Sequence, residues 1–290
     1  MEEWSVVHKV ALWGFLGAFL FGIIAHKTHF CTMGAISDWI NMGSLRRLRA
    51  WLLAMAVALL VSQLLQAIGW IDLSASIYLS TNFRIGGHIV GGFLFGIGMA
   101  LGGGCGQRTL VRVGGGNLKS LVVLLVLGLT AYITLRGLLA GLRIEVFGPL
   151  SIDLSEYGLA DQSLTGLVAT VSGLAAESVQ KAVSLIIGIA LLVYALKDKN
   201  FRKSFDGIAS GLVVGLLVAG AWFVTGVVGN DDFEPVRLET LTFIAPVGNM
   251  LNYLMTWTGS TIGFGIAVVF GILAGSLVYA VKSGNFRIEA

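Results

Sequence analysis

Seven nearly uncharged apolar stretches succeed one another along this chain, and each is long enough to cross a hydrocarbon core of ~30 Å. They run at about Lys9–Ala25, Ala50–Trp70, Ile85–Leu101, Leu118–Leu135, Val179–Leu196, Ile208–Val228 and Ile262–Val281. Lipid leaves such a chain few options, because every backbone N–H and C=O must find its partner within a helix or a closed barrel. The alternating ten-residue segments of a barrel are absent. The expected fold is therefore an all-α polytopic membrane protein of about seven transmembrane helices. Only 12% of the residues are charged, about half the usual share in soluble chains. Forty glycines against three prolines point to helices that pack backbone to backbone. The net charge of +3 gathers at one membrane face. That charge argues nothing about nucleic acid, which is not expected as a partner, and the apolar spans make the lipid bilayer one. The acidic start Met1-Glu2-Glu3 is unlike the basic head of a cleavable signal.

Between these spans lie three apolar pieces too short to cross: Thr32–Gly43, Leu164–Ala176 and Phe243–Trp257. The first carries Asp38 and Asn41 inside it and reads as a re-entrant or interfacial helix. If seven spans alternate, the basic groups Arg46–Arg49, Arg108/Arg112/Lys119, Lys197–Lys203 and Lys282/Arg287 all fall on one side. The acidic connectors 143–163 and 229–240 fall on the other. The positive-inside rule then places the N-terminus outside.

Two landmarks recur. His29-Phe30-Cys31-Thr32-Met33-Gly34 follows the first span, and Thr242-Phe243-Ile244-Ala245-Pro246-Val247-Gly248 follows the sixth. Phe83-Arg84-Ile85 follows the second span and Phe286-Arg287-Ile288 the seventh. Five spans separate each pair, an odd number, so the second copy would be inverted. Inverted repeats with short, broken segments are a transporter signature. The organisation expected is a first repeat over 1–142, a connector with one span over 143–205, and a second repeat over 206–290. That second repeat is expected to be incomplete: Cys105 lies 22 residues after Phe83, and its counterpart would fall near position 308, beyond Ala290.

The chemistry concentrates at Gly102-Gly103-Gly104-Cys105-Gly106-Gln107-Arg108, which leads to Arg112 and a second glycine triplet before Asn117. Glycine is a poor helix interior but lets backbone approach a ligand, and this stretch reads as a loop. Cys105 is the leading candidate: a thiol is a weak donor and acceptor with a polarizable sulfur, suited to holding a soft anion shallowly enough to release it. Gly104 and Gly106 would expose N–H groups, Gln107 would donate to anion oxygens, and Arg108 would attract the anion or serve as a topology charge. Cys31 follows the same logic in a plainer setting. His88, inside the third span, is a candidate because ionisable groups there are costly. Catalytic readings fare worse. Gly96-Ile97-Gly98 lies in a membrane span without Rossmann context, no serine–histidine–acid set stands out, and the glycine-rich stretch lacks the lysine of a phosphate loop. The histidines and cysteines lack zinc spacing, so no metal and no cofactor is expected, and no enzyme.

At these residues the chain resembles the YeeE/YedE membrane family of sulfur-compound transporters, whose characterised members take up thiosulfate. Gly102–Asn117 carries the resemblance most specifically, together with His29–Gly34 and Phe83-Arg84-Ile85-Gly86-Gly87. The resemblance implies pseudo-symmetric halves, paired re-entrant helices and a central path where cysteine thiols contact the anion in turn. It also implies a bacterial inner-membrane location and a cytoplasmic sulfur-carrier protein as companion. Cys105 and Cys31 match cysteines of the family's motifs. The short segment Phe243–Trp257 has no cysteine, where thiosulfate transporters carry one. The alternative from another class is a membrane sulfurtransferase or redox component, with Cys105 as a persulfide carrier.

Overall fold

The computed structural model describes residues 4–289, so the acidic start Met1-Glu2-Glu3 and Ala290 lie outside the described residues. The described residues form thirteen helices: α1 Val6–Thr28, α2 Thr32–Met42, α3 Arg46–Ala67, α4 Ile85–Leu101, α5 Gly106–Gly114, α6 Leu118–Arg136, α7 Leu138–Phe147, α8 Leu164–Ser172, α9 Ala176–Leu196, α10 Lys199–Arg202, α11 Phe205–Phe223, α12 Ile244–Met255 and α13 Phe264–Lys282. Seven of the helical segments are long and apolar enough to cross a membrane. This is an all-α polytopic membrane protein. Among the described residues, a single small sheet pairs β1 (Asn82–Phe83) antiparallel with β2 (Ile152–Asp153), tying two connectors on the face away from the basic loops.

Several helices begin before the apolar stretch that announces them. Helix α3 starts at Arg46, because a charged side chain ends an apolar window without ending a helix, and a long arginine stem can carry its head to the interface. At its other end α3 stops at Ala67 rather than Trp70, and Gly69 takes φ +77. The glycine–cysteine stretch differs more from its expected form. It is not a loop throughout, since Gly106–Gly114 is helical. Its glycines sit at the two ends, leaving Gln107 to Val113 as an uninterrupted run of side chains that a helix tolerates. Helix α7, Leu138–Phe147, reaches into the start of the acidic connector 143–163.

The core is built from two parallel helix pairs, α1 against α13 and α3 against α11. Glycine makes both possible. A Cβ on Gly22 would lie 2.5 Å from the carbonyl oxygen of Ile272, and one on Gly271 would lie 2.5 Å from that of Phe15. Across the other pair, a Cβ on Gly215 would lie 2.7 Å from the carbonyl oxygen of Ala54. Lipid supplies no hydrophobic drive between helices, so dispersion across such close approaches holds them. Val268, Val269 and Ile272 of α13 are completely buried. Helix α4, by contrast, leaves Ile89, Phe93 and Leu101 exposed.

Candidate functional site

Two short helices start where the chain turns back from α1 and α4. His29 ends α1 in the left-handed region at φ 52, and Phe30 and Cys31 then run into α2. Cys31 is the N-cap of α2, its backbone extended and its sulfur accepting the Gly34 N–H at 3.4 Å. At the end of α4 the turn is made by Gly103, at φ +68, whose carbonyl accepts an Arg112 N–H at 3.1 Å. Cys105 is the N-cap of α5, also extended, but its side chain makes no capping bond. The two sulfurs lie 3.7 Å apart. Both thiols are free and buried. Each therefore sits at the N-terminus of a short helix, where unpaired N–H groups and the helix dipole favour negative charge.

Rigid partners fix this meeting point. Gln107, 6% exposed, donates from Nε2 to the carbonyl oxygen of Phe30 at 2.9 Å, so α5 is tied to the turn that carries Cys31. Thr109 donates from its hydroxyl to the Cys105 carbonyl at 3.1 Å. Farther along α5, the hydroxyl of Ser276 on α13 donates to the Val111 carbonyl at 2.5 Å. That hydroxyl has spent its proton, so it accepts from His26 Nδ1 at 2.8 Å. A Cβ on Gly114 would lie 2.7 Å from the Ser276 side chain, which sets how closely α5 seats on α13. Asn117 then caps α6 by accepting the Ser120 N–H at 2.7 Å, and Glu289 holds the Asn117 amide at 2.8 Å.

The thiol pair separates two cavities of opposite character. On one side lies an apolar cavity of about 400 Å³, lined by Cys105, Gly106 and Gln107 with Phe21, Trp51 and Phe243. On the other is a polar cavity of about 610 Å³, lined by Cys31 and Arg108 with His29, Arg46, Arg47 and Asp38. Phe30 lines both. Beyond the apolar cavity, the hydroxyl of Thr225 donates to the Glu239 carbonyl at 2.7 Å and fixes the irregular segment that delivers Leu241 and Phe243 to the wall. Burial pushes the Glu239 carboxyl above the usual carboxylate range, against the pull of Arg237.

Of the residues picked out in the sequence, Cys31, Cys105, Gly106, Gln107 and Arg108 converge here. Gly106 needs its missing side chain, since a Cβ would press on Ile244 at 3.2 Å. Gln107 spends its amide N–H on Phe30 rather than leaving it for an anion. Arg108 donates to His29 Nδ1 at 3.2 Å, which makes that nitrogen the unprotonated one. Gly104 faces elsewhere, towards a groove between α4 and α6. His88 packs tilted against Phe83, ring centroids 5.2 Å apart, and lines a separate cavity with Arg143. Sequence reasoning passed over Phe30, Trp51 and Arg46 as site residues. Phe30 lay inside a quoted landmark, Arg46 was absorbed into the topology charges, and Trp51 gave no signal. Cys105 itself stands at the start of a helix, α5.

Comparison with known proteins points in one direction. A family described as sulphur transport matches residues 27–290. The thiosulfate transporter TsuA of Escherichia coli (strain K12) is 25% identical over 299 aligned residues, covering 97% of this chain and 78% of the relative. The thiosulfate transporter TsuA of Spirochaeta thermophila is 25% identical over 282 aligned residues, covering 95% and 79%.

Proposed function

This chain belongs to the sulphur-transport family, and from that premise we propose that it carries thiosulfate or a closely related sulfur anion into a bacterial cell, past the thiols of Cys105 and Cys31. The observation that carries this reading is the pair of sulfurs 3.7 Å apart between an apolar and a polar cavity. A thiosulfate ion has a soft terminal sulfur and hard oxygens. A thiol is a weak donor to that sulfur, and two helix N-termini add diffuse positive potential beside the pair. Such a station is shallow, which conduction requires.

In this reading the basic face is cytoplasmic and the N-terminus lies outside, by the positive-inside rule. The anion meets Cys105 first, from the apolar cavity, and leaves past Cys31 into the polar one, where a cytoplasmic sulfur-carrier protein receives it. The parallel pairs α1–α13 and α3–α11 are what an inverted repeat would produce. If α1–α2–α3 and α11–α12–α13 are related by a two-fold axis in the membrane plane, the first helix of each unit packs on the last of the other. The protein acts as a transporter, with no bond in the substrate broken.

Uptake of radiolabelled thiosulfate into proteoliposomes tests this. Wild-type protein should accumulate label, with non-labelled thiosulfate competing and sulfate competing poorly. Cys105→Ala should lower the rate by about 10- to 100-fold, the scale of one lost hydrogen bond to a charged partner. A wild-type rate equal to that of empty vesicles would reject the reading. Sulfur label trapped covalently on Cys105 during turnover would favour a persulfide carrier instead.

A further inference from the structure

The polar cavity behind Cys31 holds more positive charge than its structure consumes. Lys27 pairs with Asp206 at 3.1 Å, and Arg47 pairs with Asp38 through two guanidinium nitrogens. Those cations are neutralised where they stand. Two others in the same lining are not. Arg46 donates from Nε and Nη2 to the Ser204 hydroxyl at 3.2 and 2.7 Å, and Arg108 donates to the neutral His29 ring at 3.2 Å. Neither has a carboxylate partner among the described residues. Four cations against two carboxylates leave two positive charges in about 610 Å³. The positive-inside rule accounts for basic residues on this face. It does not account for two guanidiniums turned into a cavity, each held by a neutral acceptor and each keeping N–H groups unspent.

We infer that this cavity is a second anion site, distinct from the thiol pair, that binds a divalent oxyanion through the guanidiniums of Arg46 and Arg108. It deepens the transport reading and rests on it only for its place on the path. Its chemistry is different. Guanidinium forks recognise oxygens bidentately and desolvate more readily than ammonium groups, so this site reads charge and oxygen geometry. The thiol pair reads a soft sulfur. A thiosulfate ion would be sorted by its sulfur at the thiols and then drawn off by its oxygens. Ser204 and His29 serve as positioning residues that hold the two forks apart and facing the cavity.

Sulfate is the probe that separates the two sites, because it has the oxygens and lacks the terminal sulfur. Titration calorimetry on the purified full chain in zwitterionic detergent should show sulfate binding that weakens as chloride rises. The Cys31→Ser/Cys105→Ser double variant should bind sulfate as wild type does. Arg46→Gln and Arg108→Gln should each weaken it by at least about 10-fold, while Arg46→Lys, which keeps the charge and loses the fork, should weaken it less. Thermal unfolding of each variant shows whether it is folded. Sulfate affinity unchanged in both glutamine variants, or lost in the thiol variant, overturns the proposal. So does sulfate binding abolished when phosphatidylglycerol replaces the zwitterionic lipid in nanodiscs, since the cavity would then be a headgroup site. Failure of wild-type thiosulfate uptake with arginine-dependent sulfate binding intact would reject the transport reading and leave this site standing.

Discussion

Cys31 and Cys105 hold the same position in two similar settings, yet they are not interchangeable. Each is the N-cap of a short helix, α2 or α5, with extended backbone and a buried sulfur. Cys31 accepts the Gly34 N–H and faces the polar cavity with its cations. Cys105 caps nothing with its side chain and lines the apolar cavity. One sulfur is therefore part of the scaffold as well as part of the path, and the other has no structural duty. Substitution should separate these roles. The largest effect expected is at Cys105, where alanine should reduce uptake by about 10- to 100-fold and shift the unfolding temperature little. Cys31→Ala should lose both uptake and stability, the latter by about 0.5–2 kcal/mol for a lost N-cap. Cys31→Ser supplies a better cap and should restore stability without restoring uptake. Equal stability of the alanine and serine variants would erase the distinction drawn between the two thiols.

The next effect tests the distance between them. At 3.7 Å the thiols need little movement to bond. An added aromatic disulfide such as dithiodipyridine should take their two electrons, releasing two pyridinethiones as Cys31 and Cys105 join. Uptake should stop and return with dithiothreitol. Mass spectrometry of the digested protein should find the 31–105 crosslink, and either single serine variant should lack it. Stable mixed disulfides on both cysteines, with no crosslink, would mean that the sulfurs do not meet.

How much of this was legible in the sequence depends on what each feature costs in lipid. Spans are legible because the bilayer punishes every unpaired backbone group and most charges, so the third span, Ile85–Leu101, matches α4 to the residue. The pairing of Cys31 with Cys105 was not legible from spacing, since 74 residues and two spans separate them. Only the fold brings their turns together. Helix α5 was hidden because glycine at both ends of a nine-residue segment reads as a loop. Gln107 illustrates the same limit. Its residue type suggested a ligand for anion oxygens, whereas its position makes it the strut between the two cysteine turns. Gln107→Leu should accordingly lower uptake by roughly 3- to 10-fold through loss of one buried hydrogen bond and the orphaned Phe30 carbonyl, with a lower unfolding temperature. If uptake falls while stability stays put, Gln107 touches the anion after all.

The smallest expected effect lies at the far end of the apolar cavity and carries a sign that the thiols do not. Glu239 is half-buried, and burial raises its carboxyl above the usual range. A carboxyl whose folded pKa is raised contributes its stability below the unfolded value, near pH 4.3 for glutamate. That contribution is lost as pH rises through the folded value. Acidification from neutral towards pH 5 should therefore raise the unfolding temperature slightly, by about 1–3 °C, once other groups are accounted for by comparison with Glu239→Gln. The glutamine variant should be as stable at neutral pH as wild type is in acid, because it keeps the shape without the charge. Its uptake should match wild type, since the charge removed lies beyond the cavity wall rather than beside the sulfurs. A glutamine variant less stable than wild type at pH 7 would mean that the carboxylate is held by Arg237 more than it is opposed by burial.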